Sequence, residues 1–270
     1  MPYFKSDISV VTRETAEIFI YYKLQKLSVK TVHDITSVLM QILKFAEKNN
    51  YITSFSYNDI DLPKLHTKEI EVMSRPDEQK LNDYLKNNLT PKNFGLLLAK
   101  STGIRVGELC SLKWGDFDLE KGTMYINKTI QRVKNFDETA KAKTKVIITT
   151  PKSQKSVREI PLSDSLLSIV KKIYNYDNPE TYILTGTTKY TEPRMYQYKL
   201  KKILATAEVQ DINFHSFRHL FATKAVEHKF DVKSLSEILG HSTVRFTLDR
   251  YVHSSLELKR ENMNKIASCF

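Results

Sequence analysis

Four segments of this chain concentrate arginine, lysine, histidine and tyrosine side chains. Their sequences are TGIRVGELCSLKW at 102–114, TPKSQKSVREIPL at 150–162, HSFRH at 215–219 and LGHSTVRFTLDRYVH at 239–253. They include cations that can bind phosphate, a hydroxyl that can act as a nucleophile and groups that can transfer protons. Together these residue types could transfer a phosphodiester without a metal ion.

Such a transfer concentrates negative charge on the non-bridging phosphate oxygens, and arginine is suited to hold them. Arg105 and Arg218 could form this clamp because a guanidinium is planar, has several donors and stays charged. Tyr251 is the candidate nucleophile, since its phenolic oxygen can form a covalent bond to phosphorus. We therefore expect these three side chains to meet in one site.

The leaving oxygen needs a proton, and the second segment contains two lysines that could supply it. Lys152 is the preferred general acid because it lies in a turn between two strand-like runs, where a flexible side chain can reach a bound duplex. Lys155 is close enough in sequence to be the alternative. His215 and His241 could add hydrogen bonds or shuttle protons near neutral pH.

The HSFRH segment is predicted to lie on a helix. His215 and Arg218 are three residues apart, a spacing that places two side chains on the same helical face. Phe217, Leu220 and Phe221 occupy the neighbouring stripe and would hold that helix against the core. We therefore expect the two polar side chains to face the site together.

The elements that must position these residues are mostly helical by periodicity and capping. Thr12, Ser28 and Ser74 are candidate N-caps, and Gly240 suits the left-handed residue that ends a helix. Two helices are predicted within 12–48, the first to about Leu27 and the second with an apolar stripe of Val32, Ile35, Leu39, Ile42, Leu43 and Ala46. Further helices are predicted at 75–87, 94–104, 194–207, 214–227, 232–239 and 243–252. Strands are predicted at 123–127, 145–150 and 157–162, with an exposed turn at 134–145, so we expect one small antiparallel sheet.

The composition is that of a globular protein with a basic surface. The chain of 270 residues has 42 Lys and Arg against 31 Asp and Glu, a formal net charge of +11. Such an excess attracts phosphate backbones and is compatible with DNA, RNA or anionic membranes as partners. No membrane span or secretory signal is predicted. Two cysteines, Cys110 and Cys269, exclude a disulfide scaffold and fit a reducing cytoplasm, and Cys110 is expected in the core.

The sequence disfavours three alternatives that depend on a metal or a nucleotide. His215 and His219 have a spacing found in helical zinc sites, but the usual glutamate beside the first histidine and an evident third ligand are missing. Asp116 and Asp118 could belong to a two-metal nuclease, although a solvated strand edge explains their alternation better. The chain contains no GxxxxGK[ST] phosphate-binding loop. We expect no cofactor.

The four segments resemble the signature boxes of the tyrosine recombinase family, particularly the integrases of phages and conjugative transposons. The boxes occur in the family's order, and the similarity extends from about Ile8 to near the end of the chain. The resemblance implies a catalytic set made of Arg105, Lys152, His215, Arg218, His241 and Tyr251. It also implies that Glu108 supports the active site from behind these residues. Lys155 and Arg158 are further candidates for contacts to DNA.

The resemblance implies an α+β, mostly helical fold in two parts. A partial SAM-like helical core-binding domain is expected at 1–65, a linker at 66–74, and the tyrosine recombinase catalytic domain at 75–270, with a C-terminal helix near 256–267. The segment 28–52 resembles a helix of the family's core-binding domain. Family members of this type usually begin with an arm-site-binding domain and a fuller core-binding domain. We therefore expect this N-terminal part to be incomplete.

The implied function is site-specific DNA recombination in the integration or excision of a mobile element. Tyr251 would form a 3′-phosphotyrosyl bond, which a 5′ hydroxyl of a partner strand then attacks. The implied partners are double-stranded DNA attachment sites and further copies of the chain in a homotetramer, with an accessory DNA-bending or excision factor as a further candidate. The implied location is a bacterial cytoplasm, at the nucleoid. Two alternatives stay open: type IB topoisomerase activity, which rejoins the same strand, and a DNA-binding remnant without catalysis.

Overall fold

A computed structural model describes residues 7–8, 11–52, 60, 73–137, 139–151 and 154–251, with the separate positions 260, 263–264 and 267. The chain divides into two compact units, Met1–Glu69 and Ile70–Phe270. Lys152, positions 66–72 of the expected linker and most of the expected helix at 256–267 lie outside the described residues. Within the described part of the chain, every helix is too short or too polar to cross a membrane.

The described part of the N-terminal unit contains two α-helices, α1 (Arg13–Leu24) and α2 (Val29–Lys48). The side chains of Thr12 and Ser28 each accept a hydrogen bond from a backbone N–H of the following turn. Both predicted N-caps are therefore confirmed, because these bonds satisfy donors that the first helical turn leaves free. Helix α1 ends at Leu24, earlier than the sequence predicts.

The core of the N-terminal unit is small. Ala16 and Ile20 of α1 pack with Val32 of α2 and with Ile60. Ile42, which the sequence places in the buried stripe of α2, is 49% exposed, so that prediction is wrong. The buried residues of α2 are Val32, Thr36, Leu43 and Ala46. Ile42 lies at the edge of the helical face that these residues form.

Eight α-helices form the frame of the described part of the C-terminal unit. They are α3 (Arg75–Asn87), α4 (Pro91–Thr102), α5 (Val106–Ser111), α6 (Asp164–Ile173), α7 (Pro193–Thr206), α8 (Phe214–Glu227), α9 (Val232–Leu239) and α10 (Val244–Tyr251). The predictions for α3, α8 and α9 are confirmed at both ends. Helix α4 begins earlier than predicted because the Thr90 side chain caps it, and the short α5 was not predicted.

Two small antiparallel sheets replace the single sheet that the sequence predicts. The described strands are β1 (Phe117–Asp118), β2 (Thr123–Ile126), β3 (Thr129–Lys134), β4 (Thr144–Thr149) and β5 (Arg158–Pro161). One sheet has the order β1-β2-β5, and the other contains β3 and β4. The exposed turn predicted at 134–145 is confirmed as the loop of the β3–β4 hairpin.

The chain changes sheets at Asn127 and Lys128, which lie between β2 and β3. Before this break Ile126 is opposite Arg158, and after it Thr129 is opposite Thr149. Strand β3 was missed because its sequence, TIQRVK, has two apolar residues and a weak strand pattern.

The core of the C-terminal unit surrounds the helices that carry the predicted site. Phe94 and Leu98 on α4 and Phe217 on α8 are fully buried. Trp114 is 5% exposed and stacks on Phe94 with ring centroids 5.8 Å apart. Cys110 is also buried here, and burial raises the pKa of its thiol to about 12, so it stays protonated and unreactive.

Candidate active site

A cavity of about 270 Å³ collects five of the six predicted catalytic side chains. Its lining consists of Arg105, His215, Arg218, His241, Ser242, Phe246 and Tyr251. The sixth residue, Lys152, lies outside the described residues. The sequence therefore identified most of the side chains of one cavity from segments that are distant along the chain.

Four different elements bring these side chains to the cavity. Arg105 is the residue before α5, and His215 and Arg218 lie in the first turns of α8. His241 follows Gly240, which ends α9 in the left-handed conformation, and Tyr251 is the last residue of α10. The prediction that Gly240 ends a helix is confirmed.

Arg218 is buried, and helix ends hold it in place. It is 2% exposed, and its two terminal nitrogens donate to Gly103 O at 2.8 Å and Leu239 O at 2.7 Å. Burial and the charge of Arg105 lower the pKa of Arg218 to about 9, so the guanidinium stays charged at neutral pH. The remaining N–H groups of this side chain can donate hydrogen bonds to an anion in the cavity.

Glu108 is a buried carboxylate that joins two arginines. Its Oε1 accepts from Arg105 Nη1 at 2.8 Å and its Oε2 accepts from Arg158 Nη2 at 2.9 Å. Burial alone would raise the pKa of Glu108, but the hydrogen bond and charge of Arg158, together with Arg105, lower it. Arg105 also donates to Gly240 O at 3.1 Å, which fixes its orientation at the cavity.

Arg158, a candidate for a DNA contact from sequence, is buried and held by protein partners. Arg158 is 8% exposed, and its side chain is used by Glu108 and by the backbone carbonyls of Ser156 and Ile238. These contacts engage all three nitrogens of its guanidinium. Arg158 instead holds the carboxylate that orients Arg105.

Tyr251 is almost buried, and its hydroxyl has a partner that the sequence did not predict. The residue is 7% exposed, and its Oη lies 2.7 Å from Nδ1 of His219. Burial raises the pKa of Tyr251, and the charges of Arg218 and Arg250 offset part of this effect. The phenol is therefore protonated at neutral pH in the free protein.

His241 lies in the loop before α10 and is held by a side chain of that helix. Its Nδ1 lies 2.8 Å from Thr247 Oγ1, and its ring is parallel to that of Tyr251 with centroids 6.4 Å apart. Burial and the charges of Arg218 and Arg105 lower its pKa to about 3. A neutral imidazole thus faces the cavity, able to donate or accept one hydrogen bond.

His215 lies at the exposed side of the cavity. Its ring meets that of His219 edge to face at 4.5 Å. Partial withdrawal from water and the charges of Arg218 and Arg250 lower the pKa of His215. It is therefore neutral at physiological pH and can accept a proton.

Lys155 also reaches the edge of the cavity. It lies in a short 3-10 turn, Gln154–Ser156, and its Nζ donates to Ser242 O at 2.9 Å. Ser242 lines the cavity beside His241. This contact joins the turn that follows the predicted Lys152 to the loop that carries His241.

The residues considered for metal binding have other partners. Among the described residues, no group of three His, Cys, Asp or Glu side chains could hold an ion. Asp116 accepts from the backbone N–H of Lys113 at 2.8 Å, and Asp118 accepts from those of Glu120 and Lys121. Both carboxylates therefore stabilise turns.

Residues 71–257 match the phage integrase family. The chain belongs to this family.

Curated relatives of this phage integrase family member include enzymes of bacteria and mobile elements. A "Tyrosine recombinase XerC-like" protein of Caldanaerobacter subterraneus subsp. tengcongensis is 32% identical over 86% of this chain. That match covers 65% of the relative, so the chain spans about two thirds of the relative's length. The ICEBs1 integrase of Bacillus subtilis is 24% identical over 98% of this chain and 73% of its own.

Solved structures of integrases have the same fold. The Tn1549 transposon integrase in complex with transposon right end DNA has a TM-score of 0.78 and 20% identity, over 97% of this chain and 87% of its own. A lambda integrase(75–356) dimer bound to a COC′ core site has a TM-score of 0.62 and 18% identity, over 93% of this chain and 82% of its own. These likenesses confirm the predicted fold class, mostly helical with small antiparallel sheets.

Two side chains at the site of this phage integrase family member have partners that the sequence did not predict. His219, for which the sequence disfavoured zinc binding, contacts the Tyr251 hydroxyl. Arg158, a candidate for a DNA contact, pairs with Glu108. The spacing of His219 from His215 marked its helical face, but no sequence pattern relates it to α10.

Proposed function

We propose that this protein is a site-specific tyrosine recombinase of a mobile element, with Tyr251 as its nucleophile. The observation that carries the proposal is the cavity itself. It joins a tyrosine hydroxyl, two arginines and two neutral histidines around a space open to a phosphodiester. Family membership makes DNA strand transfer the reaction that fits this set.

Each predicted residue has one role in the proposed cleavage. Arg105 and Arg218 bind the non-bridging oxygens, where charge builds up in the transition state. Tyr251 Oη forms a bond to phosphorus while the bond from phosphorus to the 5′ oxygen breaks. Lys152 gives a proton to that leaving oxygen, and the phenolic proton passes to water or to the neutral ring of His215. His241 donates a hydrogen bond to the phosphate.

The reaction then runs in reverse with a new partner. The 5′ hydroxyl of a second strand attacks the 3′-phosphotyrosyl bond and releases Tyr251 as the phenol. The covalent bond to tyrosine conserves the energy of the broken strand, so neither ATP nor a metal ion enters the scheme.

The proposed assembly and organisation follow the family resemblance. We assign 1–65 to a core-binding domain, 66–74 to a linker and 75–270 to the catalytic domain. The proposed partners are double-stranded attachment sites, three further copies of the chain and an accessory DNA-bending or excision factor. Its net charge of +11 supports DNA as the partner. We place the protein in the cytoplasm, on the nucleoid.

The decisive experiment traps the covalent intermediate. The substrate is an attachment-site duplex with a nick close to the cleavage site. After cleavage, the short fragment that carries the free 5′ hydroxyl dissociates. The strand then cannot be rejoined, and the protein stays bound covalently to the DNA. We expect the wild-type protein to form this adduct and Tyr251→Phe to bind the same DNA without forming it, because only the nucleophilic oxygen is removed. An adduct with Tyr251→Phe would show that another residue attacks. No adduct with wild-type protein would leave the DNA-binding remnant as the better reading.

Exchange between two duplexes separates a recombinase from a type IB topoisomerase. Two attachment-site duplexes with different end labels are incubated with the protein. We expect strands that carry one label from each duplex. Relaxation of a supercoiled plasmid without mixed strands would favour the topoisomerase.

A further inference from the structure

His219 contacts the proposed nucleophile on one side and a cation on the other. It lies on α8 and is 6% exposed. Its Nδ1 is 2.7 Å from Tyr251 Oη, and its Nε2 is 3.2 Å from Nη2 of Arg250. His219 therefore connects the last two residues of α10 to the helix that carries His215 and Arg218.

The partner of Nε2 determines where the ring proton lies. A guanidinium has donors and no acceptor, so Nε2 of His219 must accept from Arg250. Burial, followed by His215, Arg250 and Arg218, lowers the pKa of His219 to about 4, so the ring carries a single proton at neutral pH. That proton is then on Nδ1. The bond to Tyr251 consequently runs from Nδ1–H to the phenolic oxygen.

We propose that His219 is a catalytic residue of strand cleavage: its Nδ1–H, fixed in that tautomer by Arg250, donates to Tyr251 Oη and stabilises the phenolate as it attacks phosphorus. This inference rests on the proposed function and adds a residue to it. The same bond stabilises the phenolate when it leaves in the rejoining step.

This geometry excludes His219 as the base that takes the phenolic proton. The nitrogen facing Tyr251 already holds a hydrogen, and the other accepts from Arg250. When the bond between Oη and phosphorus forms, the phenolic proton leaves through the open side of the cavity, to water or to His215. His219 keeps its proton throughout and supplies a fixed dipole.

A pair of isosteric variants tests the direction of this bond. His219→Asn places an amide near the position of Nδ1 and can still donate to the phenolate. His219→Asp has the same shape, but its carboxylate can only accept and repels the phenolate. On the nicked duplex at neutral pH, we expect His219→Asn to form adduct within about tenfold of the wild-type rate. His219→Asp and His219→Leu should lose about 100-fold or more, the usual effect of removing a donor to a developing oxyanion. An Asp variant faster than the Asn variant would identify His219 as a base and overturn the proposal.

The pH profile separates a chemical role from a structural one. Among the described residues, the charged and titratable groups around Tyr251 are His215, Arg218 and His219 on α8, Arg250 on α10, Arg105 before α5 and His241 after α9. The three histidines are neutral above pH 7, and Arg218, whose pKa is about 9, stays mostly charged up to about pH 8, so the profile is compared over that range. The rate of adduct formation should rise with pH as the Tyr251 phenolate becomes easier to form. Because His219→Leu lacks the donor to the phenolate, this rise should occur at higher pH than in the wild-type protein. An equal loss at every pH would mean that His219 only packs against Tyr251, and would overturn the proposal.

Two controls distinguish failure of this inference from failure of the proposed function. Thermal melting and gel-shift binding show whether each variant folds and holds DNA. Wild-type protein that forms adduct while Asn, Asp and Leu variants all match it would overturn the role of His219 alone. Wild-type protein that forms no adduct would overturn the proposed function and this inference together.

Discussion

At the residue scale, Glu108 makes it possible for Arg105 and Arg158 to lie side by side. Its carboxylate is 2% exposed and pairs with both guanidiniums. Removing one member of a buried ion pair leaves charge uncompensated in the interior. We expect Glu108→Ala to lower the free energy of unfolding by about 3–5 kcal/mol, measured by urea denaturation at neutral pH.

The same carboxylate should make stability depend on pH in a defined direction. Because the folded pKa of Glu108 lies below its ordinary value of 4.5, its stabilisation is present above that value and is lost as pH falls through the folded pKa. The wild-type free energy of unfolding should fall more steeply on acidification than that of Glu108→Gln. Glu180→Gln, at an exposed pair with Lys113, is the matched control and should change little. Equal acid sensitivity of wild type and Glu108→Gln would contradict this assignment.

A substrate that needs no general acid can show whether Lys152 or Lys155 has that role. Replacing the bridging 5′ oxygen by sulfur removes the need for an acid, since a thiol has a pKa of about 8.5 and leaves as thiolate. We expect Lys152→Ala to cleave ordinary DNA very slowly and the sulfur-bridged substrate at nearly the wild-type rate. Rates of adduct formation on the two substrates measure this.

The controls are Lys155→Ala and Arg105→Ala. Lys155 donates to Ser242 O, so its loss should leave cleavage of both substrates nearly normal. Arg105→Ala should gain no comparable rescue, because charge on the non-bridging oxygens is present in both substrates. Rescue of Lys155→Ala in place of Lys152→Ala would reverse the assignment, and rescue of neither would make His215 the next candidate for the acid.

At the element scale, the ends of two helices hold the arginines of the site. Gly103 and Gly240 follow α4 and α9 with φ of 67° and 64°. This left-handed conformation turns the chain and leaves the last carbonyls of both helices free to accept from Arg105 and Arg218. Helix C-termini carry partial negative charge, so they stabilise guanidiniums that burial would otherwise disfavour.

Gly240 should therefore tolerate substitution poorly. A Cβ at this position would lie 3.0 Å from Nη1 of Arg158, in addition to the cost of the left-handed backbone. We expect Gly240→Ala to lose more than the backbone cost of about 1–2 kcal/mol and to slow adduct formation. Gly186→Ala is the control, since φ is 65° there and nothing lies within 4 Å of the added Cβ. Similar losses in both variants, with normal adduct formation, would show that the contact with Arg158 is unimportant.

The elements that sequence predicted well have strong local signals. Helices α8 and α9 have caps at Asn213, Asp231 and Gly240, and their bounds follow from these residues. The split into two sheets depends on long-range pairing of β2 with β5, which no local pattern determines. The motifs identified five cavity side chains, but the role of His219 could not be predicted because it depends on how α8 and α10 pack.

At the scale of the whole molecule, the excess of 11 positive charges should dominate the affinity for DNA. Each phosphate that the protein neutralises releases counterions, so affinity falls as salt rises. We expect the affinity of Tyr251→Phe for a site duplex to fall about 1000-fold or more between about 50 and 200 mM salt. This variant binds without cleaving, so fluorescence anisotropy measures a true equilibrium. Unchanged affinity over this range would count against DNA as the partner.

Arg218 is anchored by the carbonyls Gly103 O and Leu239 O, which orient its guanidinium without neutralising it. A phosphate is the same in every nucleotide, so a pocket built on such a cation treats all positions of a strand alike. In the proposed reaction, the choice of the bond to be cut must then come from other surfaces of the protein, which contact bases and position the duplex over the cavity. A change of target would then require substitutions in those surfaces and none in the cavity.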